Sequence, residues 1–88
     1  MKWSPLSEAE LIGLINDAEE RMSIQQRRVW DAIRVPFTKW KQTPYGDLGG
    51  GFWAVAALGQ TVCWYNDIEE GFNWSDFEAW GTIGKYWC

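Results

Sequence analysis

The first third of the chain carries a helical rhythm of apolar positions. Leu11, Leu14, Ile15, Ala18 and Met22 recur at spacings of three and four, and Ile12 widens the stripe. The pattern predicts a helix over residues 6–22. Ser7 and Glu10 have the spacing of a reciprocal capping pair, and Leu6 can staple against Leu11. Glu8 and Glu10 fall where the helix dipole favours negative charge, and Asp17, Glu19 and Glu20 are assigned to solvent. A second capping pair, Ser23 with Gln26, follows Met22. The helix should therefore break near Ser23 and restart from Ile24 to Arg34, with Val29, Trp30 and Ile33 turned inward. One bent helix over 7–34 is the competing reading. Arg27, Asp31 and Arg34 are spaced to pair along an exposed face. Val35-Pro36 ends the helix, because the residue before proline avoids helical geometry.

The rhythm then changes. Phe52–Leu58 and Thr61–Asn66 are apolar runs rich in aromatic and β-branched residues, and Gly59-Gln60 separates them. Glycine first in a two-residue loop predicts a type II′ hairpin. That turn pairs Leu58 with Thr61, Ala57 with Val62, Ala56 with Cys63, Val55 with Trp64, Ala54 with Tyr65 and Trp53 with Asn66. Alternation then sets Trp53, Val55, Ala57, Val62, Trp64 and Asn66 on one face. Phe52, Ala54, Ala56, Cys63 and Tyr65 share the other. Both faces are apolar, so the sheet is either sandwiched or presents one face as a platform. Residues 36–51 read as an irregular connection pinned by Phe37, Trp40 and Tyr45. Residues 67–78 read as a loop with turns at Glu70-Gly71 and Asn73, and 79–84 as a candidate third strand. The predicted fold is α+β: one domain over 1–88, an N-terminal helical pair packed on a small antiparallel sheet.

Composition adds two features. Of 88 residues, 8 are tryptophan; indoles fill cores, but they also anchor binding surfaces. The net charge of −4 is unevenly spread. Arg21, Arg27, Arg28, Arg34, Lys39 and Lys41 lie within 21–41 against Asp31 alone. From residue 45 onward, Lys85 faces Asp47, Asp67, Glu69, Glu70, Asp76 and Glu78. The acidic half disfavours nucleic acid, whose phosphates it repels, and suits a basic protein partner. No apolar run approaches the ~18 residues of a membrane span. Met1-Lys2 leads into Trp3-Ser4-Pro5 rather than an apolar leader, so a cytoplasmic setting with Cys63 and Cys88 as free thiols is expected.

Several chemistries drop out. The chain has no histidine, which removes Ser-His-Asp and Cys-His nucleophile systems and His-ligated zinc. Gly49-Gly50-Gly51 leads into a strand rather than a helix and lacks the Gly-Lys-Ser/Thr ending of a phosphate loop. With Gly71 at the sixth position of a calcium loop, Ile68 and Phe77 fall where oxygen donors are needed, so the EF-hand reading fails. Asp67 and Glu70 could serve as an acid–base pair for glycoside cleavage, although any acidic loop near tryptophan offers as much. No catalytic residue, metal ligand or cofactor is assigned.

The stretch "YGDLGGGFWAVAALGQTVCWYNDIEEGFNWSDF" resembles a group of small uncharacterised bacterial proteins in which a GGGFW strand, a turn and a WYNDIEEGFN strand and loop recur. Upstream, "QQRRVWDAIRVPFTKW" is similar to their helix and Pro-containing loop, so the resemblance covers about residues 22–88. It implies a bacterial, cytoplasmic setting and brings no activity with it.

The leading expectation is a non-enzymatic protein-interaction domain, an accessory or immunity-type binder. Its contact would combine Trp74, Phe77 and Trp80 with Asp67, Glu69, Glu70 and Asp76. The alternative is a carbohydrate or small-ligand module with Trp53 and Trp64 as a stacking floor. A carboxylate-dependent enzyme ranks third. The oligomeric state is open.

Overall fold

A computed structural model describes residues 5–42 and 50–84. Its elements run α1 (Glu8–Glu20), α2 (Ile24–Ile33), β1 (Arg34–Trp40), β2 (Phe52–Leu58), β3 (Thr61–Asn66) and β4 (Gly71–Asp76). The strands form one antiparallel sheet in the order β1-β2-β3-β4. The fold is thus α+β, with the helices first and the sheet after them.

Both helix starts form where the spacing puts them. The Glu10 backbone N–H donates to Ser7 Oγ at 3.2 Å, and the Ser7 N–H donates to the Glu10 carboxylate at 3.1 Å. Ser23 and Gln26 repeat the exchange at 3.1 and 2.9 Å. The second exchange satisfies the first donors of α2 and so starts a new helix, which rules out one continuous helix over 7–34. Glu19, assigned to solvent, instead joins three elements. Its Oε2 accepts the Trp30 indole N–H at 2.7 Å and pairs with Arg34 at 3.1 Å and Arg27 at 3.8 Å. Arg27 also pairs with Asp31 at 3.1 Å, whereas Arg34 turns to Glu19 rather than to Asp31.

Two strands lie where loops were expected. β1 occupies part of 36–51; Val35, Phe37 and Lys39 are half-buried between exposed Arg34, Pro36 and Thr38. Proline ends the helix as predicted, yet it also fits an edge strand, where a missing N–H costs little. β4 occupies 71–76 within the expected loop, pairing residue for residue with β3 from Thr61–Asp76 to Asn66–Gly71. Residues 79–84, the candidate third strand, form no strand. They are tied by Lys41 N–H to Gly81 C=O (2.9 Å) and Ile83 N–H to Lys41 C=O (2.8 Å), with an isolated Lys41–Thr82 bridge. Tyr45, Gly49 and Cys88 lie outside the described residues.

The β2–β3 hairpin turns as predicted: Gly59 has φ +60°, and Leu58–Thr61, Ala57–Val62 and Ala56–Cys63 pair in the expected register. Beyond them the register departs. Ala54 faces Trp64 and Trp53 faces Tyr65, because Val55 is an extra residue in β2. The bulge turns both Val55 and Ala56 toward the helices. Leu11, Ile15 and Trp30 cover Val55, Ala56, Cys63 and Tyr65, with Trp53 packed at the margin. On the opposite face Trp40, Phe52, Ala54, Val62 and Trp64 are covered by Phe77 and Ile83 of the C-terminal segment. There the rings interlock: Trp40–Phe77 at 5.1 Å, Trp40–Trp80 at 4.9 Å and Phe52–Trp64 at 4.6 Å between centroids. The sheet is sandwiched, and truncating a ring such as Phe52 would cost about 3–5 kcal/mol.

Candidate functional site

The bulge decides the fate of the tryptophan floor. Trp53 points to the helical side and Trp64 to the other, so they share no face. Trp64 is fully buried, and its indole N–H donates to Ser75 Oγ at 3.1 Å. Trp53 is half-buried, donates its N–H to the Leu6 carbonyl at 2.8 Å and lies 5.2 Å from the Lys39 ammonium. The expected stacking platform of Trp53 and Trp64 is therefore absent.

Asp67 is also drawn inward rather than forming part of a solvated rim. Its Oδ2 accepts the Leu6 N–H at 2.8 Å. Together Asp67 and Trp53 take both backbone polar groups of Leu6, which fastens the entry of α1 to the sheet. Beside it, Asn66 Oδ1 accepts the N–H groups of Ile68 and Glu69, both at 3.1 Å, and so shapes the turn into β4. Asp67 thus has a structural task that the acid–base pairing with Glu70 did not anticipate.

The remaining candidates divide between two sides. Phe77 is buried in the cluster on the face opposite the helices. Trp80 is 64% exposed but rests against Trp40 and Phe77 on that same side. Trp74 lies on the helical side, 48% exposed, with Phe72 two residues earlier at 42%. Glu69, Glu70 and Asp76 are exposed at the ends of β4. Trp74, Phe77 and Trp80 consequently do not form one surface. Phe72, absent from the expected set, does share one with Trp74; the alternation Phe72-Asn73-Trp74-Ser75 is the signal for it.

Phe72 and Trp74 border an apolar hollow of about 190 Å³ that also reaches Ala18, Met22 and Cys63. β4 inverts the usual arrangement here. Its small polar Ser75 is buried beneath the sheet, and its two large rings stand half out in solvent. Burial pushes the Cys63 thiol up to about 12, so it stays protonated and is no nucleophile at neutral pH. The Tyr65 hydroxyl is raised too, first by burial and then by the negative charges of Glu70, Asp67 and Glu10. The field at this end of the sheet is negative. Ser7, through its backbone and then its hydroxyl, lowers the Glu10 carboxyl.

A larger open hollow, about 570 Å³, lies between α1 and β1 and is lined by Ile12, Asn16, Arg34 and Phe37 among others. It brings together no pair of carboxylates. Among the described residues no group of three or more Cys, Asp or Glu is arranged to hold a metal ion, and no described helix is long and apolar enough to cross a membrane. No protein-family model matches the chain, and neither a curated protein nor a solved structure matches it.

Proposed function

We propose that this chain is a non-enzymatic protein-interaction domain, an accessory or immunity-type binder whose contact is the acidic, aromatic surface around β4. One observation carries this reading: two large rings, Phe72 and Trp74, are left half-exposed beside an apolar hollow, between exposed acids at the ends of their strand. Aromatic anchors with a charged rim are the composition of protein interfaces. The sign of the rim favours a basic partner, with attraction acting mainly on the association rate. We further propose a bacterial, cytoplasmic setting, supported by the hairpin resemblance and by the free, buried Cys63.

The test is capture of partners from cells by the whole chain, read by mass spectrometry and repeated with Trp74→Ser and Glu70→Lys. A specific basic partner should be retained by the parent chain and lost from both variants while their circular dichroism is unchanged. A partner retained equally by all three would refute this contact surface.

A further inference from the structure

We infer that the outer edge of β4 takes an extended, basic segment of another protein as a fifth strand, with one apolar side chain of that segment seated in the hollow beside Phe72 and Trp74. This rests on the contact surface proposed above and adds its mode of recognition.

The backbone directions point to the edge. Phe77 N–H donates inward to Gln60 C=O at 2.9 Å, in register with the β3–β4 ladder. Backbone groups alternate sides along an antiparallel strand. Phe72 and Trp74 therefore turn their N–H and C=O outward. Asp76 belongs to the same set, and its carbonyl accepts the Gly84 N–H at 2.9 Å from outside the ladder. Among the described residues Gly84 is the one group that reaches this edge, and it does so at the end of the strand. An added strand would bond to Phe72 and Trp74, the two residues whose rings border the hollow. Main-chain bonds would supply affinity and the hollow would supply selectivity.

Charge selects the occupant. Glu70 precedes β4, and Asp76 and Glu78 end and follow it. A second copy pairing antiparallel through β4 would set Glu70 against Asp76 of its twin, and like charges facing across strands are unfavourable. A segment with Lys or Arg at both ends and an apolar middle meets opposite charge at each end instead.

The probe is a labelled octapeptide, Lys-Lys-Val-Phe-Val-Thr-Lys-Lys, with the central residue varied across the apolar set, titrated against the whole chain by fluorescence anisotropy. Saturable binding is expected, with new exchange protection of the Phe72 and Trp74 amides. N-methylating one alternate set of peptide amides should weaken binding about tenfold or more, while methylating the other set should have little effect. Trp74→Ser and Glu70→Lys should each weaken it about tenfold. If both methylated peptides bind like the parent, strand addition is wrong; continued sensitivity to Glu70→Lys would then leave the acidic contact standing, and its loss would remove both. Failure of every probe overturns the strand mode, and partner capture decides the contact separately. Binding seen only after removal of residues 85–88 would assign the edge to the chain's own end. A concentration-dependent dimer that protects Phe72 and Trp74 would assign it to a second copy.

Discussion

Single residues in this fold carry opposed demands, and Glu70 shows one of them. It closes the turn between β3 and β4 with φ +59°, a left-handed conformation that costs a side-chain-bearing residue about 1–2 kcal/mol. Glu70→Gly removes that cost but loosens the unfolded chain, so a net gain of about 0.5–1 kcal/mol is expected in urea unfolding. The same change should weaken binding of a basic partner, since it removes a rim charge. Gly51 shows the reverse case: a Cβ there would meet the Trp40 carbonyl oxygen, so no other residue fits at the entry to β2. Cys63 links burial to pH. Its thiol titrates near 9 when unfolded and at about 12 when folded. Between these values the unfolded chain has lost a proton that the native state keeps, so stability falls as pH rises. The contribution is complete below about pH 9 and disappears through pH 12. Cys63→Ala should flatten the alkaline limb of a stability–pH curve relative to the parent chain, whatever it costs at neutral pH.

At the scale of elements, the legible parts of the sequence were those with local chemistry. Two capping boxes and a glycine turn each write their geometry into a few adjacent residues, and all three formed. β1 and β4 were hidden because their residues carry turn chemistry: Pro36 in one, Gly71, Asn73, Ser75 and Asp76 in the other. Only the sheet beside them makes those segments extended. The Val55 bulge was hidden for a different reason. A run as uniformly apolar as Phe52–Ala57 sets no preference for either face, so nothing local resists a one-residue slip. That slip separated Trp53 from Trp64 and took the expected platform with it. It also let Trp53 reach Leu6, where it works with Asp67. Asp67→Ala should leave the Leu6 N–H without its acceptor and cost about 1–3 kcal/mol, with α1 amides losing the most exchange protection. Asp67→Asn keeps an acceptor oxygen and should cost less. Equal loss of protection across α1 and β2 would show that the clamp does not act on the helix in particular.

The whole molecule is a sheet with a separate apolar cluster on each face, and the two covers are of unequal make. The C-terminal segment is hydrogen-bonded to Lys41 and Asp76 and interlocked with Trp40 through its rings. The helical layer buries Leu11, Ile15 and Trp30 and is fastened through Leu6 and Glu19. Because the clusters share no buried side chain, the prediction is that the helices lift without dissolving the far side. Cys63 reports such an opening, since its thiol lies beneath them and borders the hollow at Phe72 and Trp74. In a Cys88→Ser background, labelling of Cys63 by a thiol reagent should proceed through a partial opening, at a lower free energy than urea unfolding gives. Asp67→Ala should speed that labelling by more than its effect on global unfolding allows. The octapeptide bound at β4 should slow it, because the side chain in the hollow would rest over the same sulfur. Labelling that tracks global unfolding in every variant would mean that the two layers open only together. The peptide would then slow labelling only as far as its binding stabilises the whole fold against urea.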